Sequence, residues 1–241
     1  MKSLRIIKKD RELWDDIAQT YSNGVFNLKN NDEWYKSELI PKMLSLVPKK
    51  STVLDFGCGH AYLSSRLKNK DCNVTGLDFS KKMVEFAKKK FPSLHLLSGD
   101  ITKGHLKLGK YDYVTANLVF HDIPNLEEVI KKLASVVNTN GQIIFSIPHP
   151  CFFTKTGKRY FDGKDRILST KLYKSKHSFY YFDEISKYGV RSYHRPLEFY
   201  LNLFFKHNFN LICFDEVFGR TRKNEIPFAV IMAFQKISKP R

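Results

Sequence analysis

Short apolar runs alternate with amphipathic stretches along most of this chain, regularly enough to predict its elements. Residues 10–47 read as helical. Trp14, Ile17 and Tyr21 recur at spacings of three and four, as do Leu39, Met43, Leu46 and Val47, and Pro48 closes the region. Strands are expected at 52–56, 73–77, 94–98, 111–116 and 142–147, with helices at about 61–68, 80–89 and 126–137 between them. Ser80 is a natural N-cap for the second of these helices. Pro196 suits the first position of a helix that runs to about Lys206, and two strands, 210–217 and 228–235, close the chain. Strand and helix alternating at this spacing predict an α/β fold, a doubly wound and mainly parallel seven-stranded sheet. The last two strands have no helix between them and should pair antiparallel.

One interval breaks the rhythm. Residues 148–195 are too long for a structureless loop in a compact domain. They are also too rich in rings for a flexible linker, with Phe152, Phe153, Tyr160, Phe161, Tyr173, Phe179, Tyr180, Tyr181, Phe182, Tyr188 and Tyr193. The expected organisation is one domain over 1–241, with a helical N-terminal cover at 1–48 and an aromatic, basic insert at 148–195 that serves as a substrate lid or an oligomer contact.

Composition narrows the class. The 241 residues are 42% hydrophobic, which excludes a mostly disordered chain. The longest apolar run, Phe228 to Phe234, is far short of the ~20 residues of a spanning helix, and the basic N-terminus lacks the apolar core of a signal peptide. Cys58, Cys72, Cys151 and Cys213 are widely spaced with no CxxC pair, so no metal site is expected and a reducing, cytoplasmic setting is. A net charge of +17 admits polyanions or anionic small molecules as partners.

The chemistry concentrates where the first strand ends, in Val53-Leu54-Asp55-Phe56-Gly57-Cys58-Gly59-His60. Two glycines one residue apart let the backbone turn sharply and approach a ligand near a helix N-terminus. Asp78 ends the second strand about 20 residues on, where a carboxylate can accept from ribose hydroxyls. Tyr62 stands where a dinucleotide fold places its third glycine, which argues against NAD and FAD, and no phosphate-cradling GxxxxGK[ST] run exists. Asp55, immediately before the glycine turn, suits a ligand with a cationic amino-acid end better than a pyrophosphate.

Those residues resemble the class I S-adenosylmethionine-dependent methyltransferases. Val53 to Gly59 is similar to the family's first motif and Gly76-Leu77-Asp78-Phe79-Ser80 to its second. Ser98-Gly99-Asp100-Ile101 looks like the third, and Tyr111 to Val114 through Asn117 and His121 like the fourth strand and its sequel. The resemblance implies S-adenosyl-L-methionine as cofactor and S-adenosyl-L-homocysteine as product. Asp55, Gly57 and Gly59 would surround the methionine part, Asp78 would hold the ribose, and Asp100 with Ile101 would flank the adenine. Phe79 and Met83 would pack on the adenine or ribose face, Asn117 would sit beside the sulfonium, and Tyr21 would cover the cofactor.

Methyl transfer from a sulfonium needs alignment more than a base. If a base acts, His149 in Ile147-Pro148-His149-Pro150 is the first candidate, with His121 and His194 as alternatives. The leading expectation is a small-molecule acceptor, aromatic or anionic, methylated on oxygen or nitrogen, with Arg159, Lys164, Arg191 and Arg195 available to hold a carboxylate or phosphate. RNA is the second acceptor class, from the net charge and the interleaved rings. A cofactor-binding protein without enzymatic activity is the third reading. The sequence leaves the oligomeric state open.

Overall fold

The computed structural model describes residues 10–26, 35–104, 106–151, 177–181, 190–218 and 227–238, with the side chains at 10, 20–26, 177–181 and 190–191 left aside. Strands β1 (Thr52–Phe56), β2 (Asn73–Asp78), β3 (His95–Ser98), β4 (Tyr111–Asn117) and β5 (Val137–Pro148) are joined through helices α3 (Tyr62–Lys68), α4 (Lys81–Lys90) and α5 (Leu126–Val136). Ahead of them lie α1 (Asp10–Phe26), a π-helical turn at Tyr35–Leu39 and α2 (Ile40–Ser45). A hairpin of β6 (His177–Tyr181) and β7 (Val190–His194), helix α6 (Leu197–Lys206) and strands β8 (Phe209–Val217) and β9 (Ala229–Lys236) complete the order. The main sheet runs β3-β2-β1-β4-β5-β9-β8. Its first five strands are parallel, and β9 lies antiparallel between β5 and β8. The doubly wound, seven-stranded architecture expected from the alternation is therefore present, including its antiparallel end.

The burial pattern explains the placement. Four of the five residues of β1 are buried, as a central strand covered on both faces requires. In α5, Leu126, Val129, Ile130 and Leu133 repeat at helical spacing and are all buried. They join α6 and the sheet in a core rich in rings, where Phe204 stacks on Phe234 at 4.2 Å and on Phe145 at 5.2 Å. Helices α2 and α3 cover the opposite face through Met43, Leu63 and Leu67.

The differences from expectation are local. Within the region 10–47 the described residues are helical as expected, with a π-helical turn at Tyr35–Leu39 leading into α2, while residues 27–34 lie outside the described residues. Strand β5 begins at Val137, five residues before the expected start, where the end of α5 passes directly into extended chain. Pro196 is the N-cap of α6 and not its first helical residue. Within 148–195 the β6–β7 hairpin has no counterpart in the sequence pattern, because its pairing sets two separate segments together; residues 152–176 and 182–189 lie outside the described residues. No helix among the described residues is long and apolar enough to cross a membrane.

Candidate functional site

A cavity of about 330 Å³ opens at the carboxyl ends of β1, β2 and β4, the edge where open α/β sheets hold ligands. Its floor is the turn after β1. Gly57 has φ +67°, and a Cβ there would lie 2.5 Å from Val119 Cγ2, so this turn admits only glycine. Gly59 has φ +51°, and a Cβ there would meet nothing within 4 Å, which leaves its backbone open to close approach.

Two carboxylates stand at this floor. Asp55 Oδ2 accepts from Ser64 Oγ at 2.5 Å and Oδ1 from Thr115 Oγ1 at 2.8 Å. Asp78 Oδ2 accepts from the Gly59 N–H at 2.8 Å and Oδ1 from the Ser80 N–H at 2.9 Å. Each carboxylate oxygen has a second lone pair, so Asp78 both braces the glycine turn and keeps capacity toward the cavity. Burial pushes both carboxyls up to about 6, and their hydrogen bonds only partly offset it. The repulsion between Asp78 and Asp55 adds to the shift of Asp55. A cationic ligand, or one offering hydroxyl donors, relieves that burden.

The walls are built from four places. Phe79 and Met83 follow β2. Asp100, Ile101 and Thr102 follow β3, with Asp100 Oδ1 accepting from both the backbone and the hydroxyl of Thr102. Asn117, Leu118, Val119 and Asp122 follow β4. Trp14 from α1 and Tyr35 from the π-helical turn supply rings opposite, beside Tyr62 and His60. Burial, then the cations of Lys90 and Lys36, lower His60 to about 4, so its imidazole is neutral.

Helix α1 is tied to the floor: Asp15 Oδ1 accepts from Ser80 Oγ at 2.6 Å and from the Lys82 N–H at 3.1 Å, while Ser80 itself caps α4 through the Met83 N–H. Helix α1 also meets β7.

Of the residues singled out in the sequence, Asp55, Gly57, Gly59, Asp78, Phe79, Met83, Asp100, Ile101 and Asn117 all line this one cavity. The expected bases do not. His149 is buried just after β5 and reaches β8: Nδ1 accepts from the Cys151 N–H, and Nε2 lies 2.9 Å from Glu216 Oε1. With Nδ1 accepting, the proton sits on Nε2 and is donated to Glu216. Burial lowers its pKa, against the opposing pull of Glu216. His149 thus links the end of β5 to β8 and does not line the main cavity. His121 lines a small second cavity with His194, Ser192 and Tyr200, its Nε2 3.4 Å from Asp122 Oδ1, and burial with the nearby Arg195 takes it down to about 3.

Arg195, expected to hold an anion, is buried and donates to the carbonyls of Phe120, Ile123 and Pro124. The side chains of Tyr21 and Arg191 are not described, and Arg159 and Lys164 lie outside the described residues.

Sequence reasoning misses Trp14, Tyr35, His60, Thr102 and Asp122 as site residues. For Tyr35 the available signal is a ring just ahead of the second helical repeat; for Asp122 there is none, because its place depends on how the chain turns after β4.

A methyltransferase-domain family model matches residues 48–174. An uncharacterised protein of Haemophilus influenzae is 34% identical over 121 residues, covering 46% of this chain and 48% of that protein. A demethylmenaquinone methyltransferase of Bacillus licheniformis is 29% identical over 140 residues, covering 55% and 59%. The matches therefore span about half the length of these curated relatives. Among solved structures, a Listeria monocytogenes protein described as an S-adenosylmethionine-dependent methyltransferase superposes with a TM-score of 0.70 at 22% identity, over 82% of this chain and 97% of that one. The chain belongs to the methyltransferase-domain family, and its sheet has the class I S-adenosylmethionine-dependent methyltransferase fold.

Proposed function

We propose that this protein binds S-adenosyl-L-methionine in the cavity and transfers its methyl group to a small-molecule nitrogen or oxygen, leaving S-adenosyl-L-homocysteine. One observation carries the reading. The buried Asp55 and Asp78 flank a glycine turn at the switch point of the sheet, so hydroxyl acceptors and negative charge lie together beside open backbone. The cofactor supplies an electrophilic methyl on a sulfonium leaving group.

The chain's own residues bind and orient. Asp78 accepts from the ribose hydroxyls. Met83, Ile101 and Val129 form an apolar slot for the base, with Asp100 at its edge. Asp55, held by Ser64 and Thr115, faces the cationic amino-acid end. Alignment of this kind supplies up to ~7–11 kcal/mol of a barrier in favourable cases.

A small acceptor is supported by the aromatic walls of Trp14, Tyr35 and Tyr62, which exclude water and suit a planar molecule. The demethylmenaquinone enzyme among the relatives acts on a small molecule as well. We read α1 and the β6–β7 hairpin as the cover over the acceptor, and we place the protein in the cytoplasm, the reducing setting that its widely spaced cysteines suit.

Calorimetric titration with S-adenosylmethionine and S-adenosylhomocysteine tests the cofactor, with NADH as control. Micromolar binding, reduced at least ~50-fold in Asp78→Ala, is expected; a folded protein that binds neither sulfur nucleoside overturns the reading. Transfer of a labelled methyl to the small-molecule fraction of a cell extract, and not to its RNA, tests the acceptor class. Methylated RNA would establish the alternative that the net charge of +17 favours.

A further inference from the structure

Strand β4 ends in an arrangement that binding the cofactor does not by itself require. Ser146, fully buried in β5, stands in register beside Asn117. Its hydroxyl accepts from the Leu118 N–H at 3.0 Å and donates to Asn117 Oδ1 at 2.7 Å. That donation assigns the amide: the oxygen faces Ser146, and Nδ2 faces the cavity, where it donates to Tyr35 Oη at 3.0 Å. Leu118 takes φ +53°, a left-handed conformation that is costly for leucine, and its N–H is held by both the carbonyl and the hydroxyl of Ser146. Backbone strain is accepted here to aim Asn117. Tyr35 opens a π-helical turn, a feature frequent at functional sites, and its ring lies 6.1 Å from that of Tyr62 across the same wall.

A phenol oxygen can accept two hydrogen bonds and donate one. The hydrogen bond from Asn117 takes one of these acceptor sites and fixes the position of the Tyr35 oxygen at the cavity surface. Resting on the cofactor reading above, we propose that Tyr35 is the acceptor-facing residue of this site, that it takes the N–H or O–H hydrogen of a neutral amine or hydroxyl substrate, and that Asn117 and Ser146 are its positioning residues. The hydrogen bond fixes the substrate heteroatom so that its lone pair points at the methyl carbon. That lone pair forms the new bond, the carbon–sulfur bond breaks with its electron pair retained by sulfur, and the proton lost by the heteroatom passes to water. Asp100 and Asp122, which line the same cavity, favour such a neutral donor over an anionic acceptor.

The test uses three matched probes, aniline, phenol and toluene, titrated by ligand-observed NMR into protein saturated with S-adenosylhomocysteine. Aniline and phenol should bind more tightly than toluene, and Tyr35→Phe should cut that preference about three- to tenfold, the range of one hydrogen bond. S-adenosylhomocysteine affinity should stay within about twofold of the parent, which separates acceptor recognition from a structural role. Ser146→Ala should lose part of the same preference although it does not touch the probe, and Ser146→Thr should retain it. An unchanged preference in Tyr35→Phe overturns the proposal. So does a parallel loss of S-adenosylhomocysteine affinity, or binding of none of the probes. If S-adenosylhomocysteine fails to bind the parent protein, the cofactor reading falls first and this one with it.

Discussion

Asp55 carries an electrostatic cost of folding. Its pKa rises from 3.8 to about 6 on folding because burial penalises the charged form more than Ser64 and Thr115 can repay. A carboxyl with a raised folded-state pKa binds more protons folded than unfolded between those two values, so stability increases as pH falls from about 6 toward 4. Above about 6 the penalty is present in full, on the order of 3 kcal/mol. Asp55→Asn removes it without orphaning a partner, since both partners are hydroxyls that can donate or accept. The expected result is a Tm about 3–8 °C higher at pH 7.5, with the gain shrinking below pH ~5, followed by thermal denaturation across that range. The same variant should bind S-adenosylmethionine about tenfold more weakly, because the charge that destabilises the empty site is the one that meets the ligand's cation. Binding to the parent protein should release protons near pH 6, visible as a buffer-dependent heat in calorimetry, and affinity should decline as Asp55 and Asp78 protonate below it.

At the scale of elements, α1 and α4 share a carboxylate. Asp15 caps the N-terminus of α4 together with Ser80, so the helix that brings Trp14 to the cavity is fastened beside Asp78, for which we propose the ribose-binding role. Asp15→Ala should cost ~1 kcal/mol of stability, as a lost cap does, and should speed proteolytic cleavage within α1; S-adenosylhomocysteine should slow that cleavage in the parent but much less in the variant. Gly57→Ala should cost more, because a positive φ and a 2.5 Å approach to Val119 must both be accommodated. Its cofactor affinity should drop with its Tm. The strands and helices of the main sheet, the glycine turn and Asp78 are legible in the sequence because they depend on local periodicity and on short spacings. The cap by Asp15, the His149–Glu216 link and the Tyr35–Asn117 bond are not, because each joins residues more than sixty positions apart. A histidine between two prolines carries no sign of the glutamate that will occupy it, and Arg195 carries none of the three carbonyls it binds.

For the molecule as a whole, ligand binding and stability are linked. At a hundredfold excess over Kd, S-adenosylhomocysteine should add ~2.7 kcal/mol, or roughly 5–10 °C in Tm, and Asp78→Ala should show almost none of this. Arg195→Ala should do the reverse of what a substrate-binding arginine predicts. It should lower stability by ~3 kcal/mol or more in the empty protein, since buried carbonyls lose their partner, before any acceptor is added. Arg195 also marks a boundary. It binds the turn after β4 from a position just beyond β7, and Ser192 bonds Asp122 on the same wall. On the other side, His149 is anchored to Glu216. The described residues on either side of the stretch from Cys151 to Val190 are thus both fastened to the scaffold. Transplanting a relative's segment between those points should leave sheet and cofactor affinity intact, whereas a graft that runs on past Arg195 should unseat the cavity wall and abolish both.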